Sequence, residues 1–151
     1  MLIINYEVCL EPQYLDQNIM KHLLNKTKNI LEKTCSKEYG HIINVKRIIN
    51  IIDNNDTLFN LELEIEALKP DVGKKMKGEI CMIYKDGIFI NVLDRQKILI
   101  PASSIKNYVY KKGIYIDNDN NNSLKENDVI EVIITAVRYN KHNFSCLGEI
   151  V

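Results

Sequence analysis

Residues 71–105 of the chain read DVGKKMKGEICMIYKDGIFINVLDRQKILIPASSI. Apolar and β-branched residues form short runs here, and Asp86-Gly87 between two of them is typical of a β-hairpin turn. Pro101 ends the third run because proline has no N–H for a strand ladder. With two later runs, the predicted strands are 76–84, 87–94, 97–101, 129–138 and 143–150. Five short strands, interrupted by the polar segment 117–127, predict a small closed barrel of the OB type.

The N-terminal half has a different pattern. Residues 2–11 are predicted to form a strand that Pro12 ends, and an amphipathic helix is predicted from Asp16 to about Thr34. Two further strands are predicted at 41–52 and 61–68, with turn chemistry at 53–56 between them. The expected fold class is therefore α+β. An α+β module of residues 1–72 is followed by an all-β OB-fold barrel of residues 73–151.

Composition and length limit the classes of protein that the chain can represent. It has 151 residues with 20 basic and 20 acidic side chains, and 26% charged residues is an ordinary globular value. No apolar run approaches the roughly 20 residues that span a bilayer, and residues 1–12 do not resemble a signal peptide. The four cysteines form no CxxC pair of the kind that zinc fingers use. We therefore expect an intracellular protein with reduced thiols and no membrane association.

The net charge of zero hides an asymmetry between the halves. Residues 1–72 hold 8 basic and 11 acidic side chains, whereas residues 73–151 hold 12 basic and 9 acidic ones. Opposite charges indicate two modules with different partners. The basic half is compatible with a nucleic-acid partner.

Catalytic motifs are missing from the sequence. A nucleophile needs a base and a group that orients the base, but His22, His41 and His142 stand in no such motif. The Gly-Lys pair at 73–74 lacks the upstream glycine and the following Ser or Thr of a phosphate-binding loop. We expect a non-catalytic protein with no cofactor and no metal site.

Glu62, Glu64 and Glu66 share one face of an alternating strand. Neighbours on one face of a strand lie about 6.6 Å apart, which is too far for a tight carboxylate pair. A solvated strand face opposite Lys46 and Arg47 is therefore favoured over a metal or acid–base cluster.

The barrel half carries aromatic residues interleaved with basic ones. On an OB surface this combination favours single-stranded nucleic acid, because bases stack on the rings and cationic groups follow the backbone. The alternative is that Phe89 and some tyrosines belong to the core and the lysines only raise solubility. The predicted RNA-binding residues are Tyr84, Lys85, Phe89, Lys97, Lys106, Arg138 and Lys141, and the same aromatic and basic set includes Tyr108, Tyr110, Lys111 and Lys112.

Residues 71–105 resemble the opening strands of an S1-type OB domain. The corresponding segments are Lys-Gly-Glu-Ile, Asp-Gly-Ile-Phe-Ile and Ile-Leu-Ile-Pro-Ala-Ser-Ser-Ile. NDVIEVIITAVRYNKHNFSCLGEI, near the C-terminus, resembles the closing hairpin of the same module.

The first half resembles the N-terminal tip domain of a polymerase subunit family. This family is the stalk subunit of multisubunit DNA-directed RNA polymerases, which is the seventh subunit of the eukaryotic nuclear enzymes and its archaeal counterpart. The resemblance is carried by an ordered set of residues around the helix and before the long Ile/Val strand. These residues are Leu10, Pro12, Leu15, Cys35, Tyr39 and Gly40.

Membership of the stalk family implies a non-catalytic role in transcription. The tip domain would dock on the largest polymerase subunits near the base of the clamp, with a second stalk subunit at the tip–barrel junction. The barrel would contact nascent single-stranded RNA, with Lys85, Phe89, Lys97 and Arg138 foremost. The residues implied in docking are Cys35, Lys37, Tyr39, Gly40, His41, Asn54 and Asn55. The implied location is the nucleus, or the cytoplasm and the virion for a viral member.

Two other interpretations remain open at this point. One is a free S1-type RNA-binding protein that acts in translation or RNA decay, which leaves the first half unexplained. The other is a structural adaptor whose barrel binds protein. Binding to single-stranded RNA is expected of the stalk subunit and of the free RNA-binding protein, but not of the adaptor.

Overall fold

The computed structural model describes residues 1–119 and 122–151. The chain divides into two compact units, Met1–Lys69 and Pro70–Val151. Each unit has its own sheet and its own apolar interior.

The N-terminal unit is a four-stranded antiparallel sheet with one helix. In space the strands follow the order β1-β4-β3-β2. The elements are β1 (Leu2–Cys9), a 3₁₀ turn (Pro12–Tyr14), α1 (Ile19–Leu31), β2 (Cys35–Ser36), β3 (Gly40–Asn55) and β4 (Leu58–Leu68). Pro12 opens the 3₁₀ turn, where its missing N–H costs no hydrogen bond.

Strand β3 follows a three-residue period against β4. Four register shifts interrupt the ladder, at Ile42/Asn44, Val45/Arg47, Ile48/Asn50 and Ile51/Asp53. Each shift is a β-bulge, which leaves one residue of β3 without a partner. Residues 42–53 therefore form four triplets, IIN-VKR-IIN-IID. The first residue of each triplet packs inward, the second is bulged, and the third pairs with β4 on the outer face.

The core of this unit lies between the sheet and α1. Leu23 and Leu31 of the helix pack in one cluster with Val45 of β3 and with Leu61 and Leu63 of β4. Alternation along β4 turns its leucines inward and its glutamates outward.

Two of the three outward glutamates, Glu64 and Glu66, face cations on β3, as the sequence predicts. Glu64 accepts a hydrogen bond of 2.6 Å from Arg47 Nε, and Glu66 lies 3.6 Å from Lys46 Nζ. The interpretation of this row as a solvated face is therefore confirmed. Within residues 1–119 and 122–151, no group of three His, Cys, Asp or Glu side chains is placed to hold a metal ion.

The C-terminal unit contains the predicted five-stranded closed barrel and a small additional sheet. The barrel order is β11-β12-β7-β6-β5, and the small sheet has the order β10-β9-β8. The strands are β5 (Lys75–Tyr84), β6 (Gly87–Val92), β7 (Gln96–Pro101), β8 (Tyr108–Lys111), β9 (Ile114–Asp117), β10 (Ser123–Leu124), β11 (Val129–Asn140) and β12 (Asn143–Ile150). A 3₁₀ turn, Ala102–Ser104, follows β7.

The barrel closes through a short parallel seam between β7 and β12. Only Cys146 with Ile98 and Leu147 with Leu99 are paired across it. Gln96 reinforces the seam, since its buried side-chain amide donates to the Phe144 carbonyl at 2.8 Å.

The predicted class of α+β, with an N-terminal α+β tip domain, is wrong. Strands make up about 60% of the chain, and the one α-helix among the described residues has 13 residues. The difference comes from strands that the sequence did not predict, β2, β8, β9 and β10, and from the greater length of β3 and β4. The helix is also shorter than predicted. Asp53–Asn55, expected as a turn, continues β3 because β4 offers partners as far as Leu58. Part of the polar segment 117–127 pairs as β10, and residues 120 and 121 lie outside the described residues.

Gly40 holds the start of β3 close to the end of β4. It has φ +77°, and a Cβ there would lie 2.3 Å from the carbonyl oxygen of Leu68. We expect Gly40→Ala to destabilise the N-terminal unit by more than about 3 kcal/mol, because left-handed strain adds to a backbone clash. Gly113→Ala is the matched control, since Gly113 has φ +81° with no heavy atom within 4 Å of its Cβ position.

The control should lose only about 1 kcal/mol, the cost of the backbone conformation alone. Urea unfolding read by peptide-level hydrogen exchange measures both units separately in the full chain. Equal losses in the two variants would contradict the proposed clash.

Candidate nucleic-acid interface

A row of apolar side chains crosses all five barrel strands on the outer face. Met82 pairs with Phe89, Phe89 with Leu99, Leu99 with Leu147, and Leu147 with Ala136. Strand alternation turns the neighbours of Phe89 and Leu99 inward, where Ile88, Ile90, Ile98 and Ile100 are fully buried. The row itself is half-buried to exposed, so it is an apolar strip open to a ligand.

A polar row runs beside the apolar one. Asn91 pairs with Lys97, and Ser145 pairs with Arg138. Each of these residues is two positions along its strand from the apolar row, which is about 6.6 Å. Lys97 and Arg138 are both exposed, and neither forms an ion pair with another described residue.

Both rows, apart from Met82 and Asn91, line a groove of about 410 Å³. Phe144 lines it with a buried side chain, whose ring lies 4.9 Å from that of Tyr139. Burial raises the pKa of the Cys146 thiol to about 11, so this wall of the groove is uncharged at neutral pH. The lining residues are Phe89, Lys97, Leu99, Ala136, Val137, Arg138, Phe144, Ser145, Cys146 and Leu147.

Tyr84 stands beside Phe89, next to the groove. It is 51% exposed, and its ring meets that of Phe89 edge-on with centroids 6.3 Å apart. The turn that follows it is held by Tyr115, whose hydroxyl lies 2.6 Å from the Tyr84 carbonyl and 2.9 Å from the Lys85 carbonyl. Burial, with smaller contributions from Tyr110 and Asp86, raises the pKa of Tyr115 above its ordinary value of 10.0.

The structure brings together part of the RNA-binding set predicted from sequence. Phe89, Lys97 and Arg138 line the groove, and Tyr84 adjoins it. The remaining three residues are exposed but do not line it. Lys85 lies in the β5–β6 turn, Lys106 follows the 3₁₀ turn, and Lys141 lies in the β11–β12 turn.

Sequence reasoning missed the apolar members of the site. Leu99 could have been found, because strand alternation places it on the same face as Lys97. Leu147 and Ala136 become neighbours of Leu99 only through the parallel pairing of β7 with β12. The residues around them in the sequence do not predict this pairing.

The residues predicted to dock on a polymerase lie at the two ends of β3. Cys35, Gly40 and His41 are buried at one end, and burial raises the pKa of Cys35. Asn54 and Asn55 are exposed at the other end, roughly 35 Å away, because the bulged β3 extends only as far as the 11 residues of β4 that run beside it. At the first end, Tyr39 is half-buried and Lys37 is exposed.

The N-terminal unit has a polar cleft of about 430 Å³ beside α1. Its charges are paired internally: Lys26 donates to Glu11 at 2.8 Å, which lowers the pKa of that carboxyl. His22 packs against Tyr14 with ring centroids 5.0 Å apart. Among the described residues, no helix is long and apolar enough to cross a membrane.

The barrel matches the model of a known family. Residues 69–146 match the S1 RNA binding domain, and the chain belongs to this family. Such domains bind single-stranded nucleic acid through an aromatic and basic OB surface, which is the chemistry of the groove.

Two curated relatives extend over nearly the whole chain. An uncharacterised protein, 250L, of Invertebrate iridescent virus 6 is 26% identical over 98% of this chain and 95% of its own length. The DNA-directed RNA polymerase II subunit RPB7 of Glycine max is 20% identical over 99% of this chain and 90% of its own length.

Solved structures of Mycoplasma genitalium RNase R are similar to a part of the chain. The form in complex with ribose-methylated single-stranded RNA is 19% identical over 53% of this chain, with a TM-score of 0.45. The matched region spans 13% of the RNase R chain.

The two cations of the groove should control the salt dependence of RNA binding. We expect Lys97→Gln with Arg138→Gln to weaken binding to oligouridine at low salt. The slope of log K against log salt should fall by about 1.4, since each phosphate neutralised on a single strand contributes about 0.7. Fluorescence anisotropy from low to moderate salt measures both quantities.

Lys77→Gln with Lys125→Gln is the matched control. It removes the same charge from exposed positions outside the groove. An equal loss of slope in both double variants would show that net charge, rather than the groove, governs binding.

Tyr115→Phe should loosen the β5–β6 turn. Loss of the hydroxyl leaves two carbonyls without this donor, which costs about 1 kcal/mol of unfolding free energy. Because folding raises the pKa of Tyr115, the hydroxyl's contribution is complete below pH 10 and disappears as the pH rises through the folded-state value.

Urea unfolding of the wild type and the variant at pH 7 and above pH 10 checks both expectations. Tyr110→Phe is the control, since the Tyr110 hydroxyl makes no hydrogen bond to a described residue. A difference between wild type and Tyr115→Phe that is constant with pH would contradict the assigned role.

Proposed function

We propose that the chain is a non-catalytic stalk subunit of a multisubunit DNA-directed RNA polymerase. Its N-terminal unit docks on the largest subunits near the base of the clamp. Its S1 barrel contacts nascent single-stranded RNA through the groove. A second stalk subunit is a further proposed partner.

The observation that carries this proposal is the extent of the similarity to RPB7. That similarity covers 99% of the chain, including the N-terminal unit. The S1 family match begins at residue 69 and leaves the N-terminal unit without a role. The opposite charges of the two halves also suit one protein partner and one nucleic-acid partner.

The groove supports the RNA half of the proposal. An apolar strip beside two exposed cations offers stacking to bases and attraction to phosphates. A duplex hides its bases in the stack, so this arrangement favours a single strand such as a transcript.

Only the exposed docking candidates are available for direct contact with the polymerase. Cys35, Gly40 and His41 are buried in the N-terminal unit, so their role is to shape the β2–β3 turn. Lys37 and the Asn54-Asn55 turn are exposed. Docking through both places needs two separate surfaces on the partner, because β3 lies between them.

The proposed location follows the polymerase. It is the nucleus, or the cytoplasm and the virion if the enzyme is viral. The similarity to a protein of an iridescent virus over 98% of the chain supports the viral case.

A tagged chain recovered from its native source at moderate salt should bring with it the two largest polymerase subunits in comparable amounts. Recovery should survive RNase treatment, because the docking contact is between proteins. Mass spectrometry of the recovered proteins is the measurement. The variant Lys97→Gln with Arg138→Gln should recover the polymerase equally well, since it changes only the groove.

The second candidate is a free S1-type RNA-binding protein that acts in translation or RNA decay. The S1 match on its own favours it. Recovery of ribosomal or decay factors that RNase treatment abolishes would support this candidate and overturn the stalk proposal.

A further inference from the structure

The small sheet inserted between β7 and β11 presents an aromatic side chain toward the β5–β6 turn. Tyr110 of β8 pairs directly with Tyr115 of β9, and the two rings lie 5.4 Å apart. Directly paired residues lie on the same face of a sheet. Tyr115 reaches the Tyr84 and Lys85 carbonyls from that face, so Tyr110 lies on the side that faces the turn.

These contacts connect the sheet to the groove through two ring pairs that are joined by the backbone of the β5–β6 turn. Phe89 in the groove lies 6.3 Å from Tyr84. Tyr84 is joined to Tyr115 by the 2.6 Å hydrogen bond at its carbonyl, and Tyr115 contacts Tyr110. Tyr84 is 51% exposed and Tyr110 is 36% exposed. Two ring surfaces are therefore open to a ligand beyond the groove.

The segment around Tyr110 is basic. Residues 106–112 read KNYVYKK, with three lysines and no acidic residue, and all three lysines are exposed. Asp86, on the neighbouring turn, is the acid that contributes to the raised pKa of Tyr115. Open aromatic rings among cations match the stacking and charge requirements of a single-stranded nucleic acid.

We propose that the β8–β9 hairpin is a second RNA-contacting surface, on which Tyr110 stacks with a base of the same strand that occupies the groove. The strand passes from Phe89 over Tyr84 to Tyr110. This inference rests on the proposed RNA binding of the groove. It adds a longer binding site, of which the groove is one part.

Binding to oligouridines of increasing length tests this path. OB folds cover about 4–16 nucleotides, so we expect affinity to keep rising from about 4 to about 12 nucleotides. Tyr110→Ala in the full chain should weaken binding of the long oligonucleotide by on the order of tenfold. It should leave the short one unchanged, because the short one fills only the groove. Fluorescence anisotropy at low salt gives both affinities.

Two variants serve as controls. Tyr110→Phe keeps the ring and should keep the length dependence. Val109→Ala changes the adjacent residue of β8, which is 44% exposed and lies on the opposite face, and it should bind both oligonucleotides as the wild type does. If Val109→Ala loses affinity as Tyr110→Ala does, general loosening of the hairpin is the cause and the inference fails.

The outcomes separate this inference from the function on which it rests. If Lys97→Gln with Arg138→Gln weakens the short oligonucleotide while Tyr110→Ala changes neither, the groove binds RNA and the hairpin does not. If no oligonucleotide binds at low salt, the proposed RNA binding itself is wrong. A loss that is equal for short and long oligonucleotides in Tyr110→Ala would also overturn the inference, because it would place Tyr110 within the groove's own site.

Discussion

The parallel pairing of β7 with β12 is the contact on which the C-terminal unit depends. It brings the β11–β12 hairpin beside the β5–β6–β7 meander, so that Leu99 meets Leu147 and the apolar row becomes continuous. The same seam brings Arg138 to the groove that Lys97 lines. The paired backbone is short there, and the buried amide of Gln96 adds a side-chain hydrogen bond between the strands. A polar side chain in the interior is thus part of the closure of the barrel.

The parts of the fold that could be predicted from sequence are those with local signals. The barrel strands are bounded by turns such as Asp86-Gly87, whose chemistry is decided by adjacent residues. The strand predicted at 41–52 is part of β3, but its bulged pairing with β4 could not be obtained in this way. The IIN-VKR-IIN-IID triplets of β3 have neither the period of 2 of a regular strand nor the period of 3.6 of a helix. Asp53–Asn55 has turn composition but remains in the strand, because β4 is long enough to pair with it.

The residues of the candidate site also divide into those that local sequence signals predict and those that only strand pairing brings together. Phe89 and Lys97 lie on short alternating strands, so the composition of their segments was enough to select them. Leu147 belongs to the site only because a distant strand closes the barrel at that register. The docking residues, which the resemblance implies, lie at two places whose separation only the structure gives: Gly40 begins β3, and Asn54 lies near its end. Lists of residue types carry no information on how far a strand extends.

The triplet arrangement of β3 also limits how this hairpin can change length during evolution. Each triplet of β3 occupies the same length of ladder as two residues of β4. An insertion of one or two residues in β3 would therefore turn every later apolar side chain away from the core. A change of three residues on β3 and two on β4 would preserve every inward position. The β3–β4 hairpin is accordingly free to grow or shrink in steps of five residues, divided unequally between its two strands.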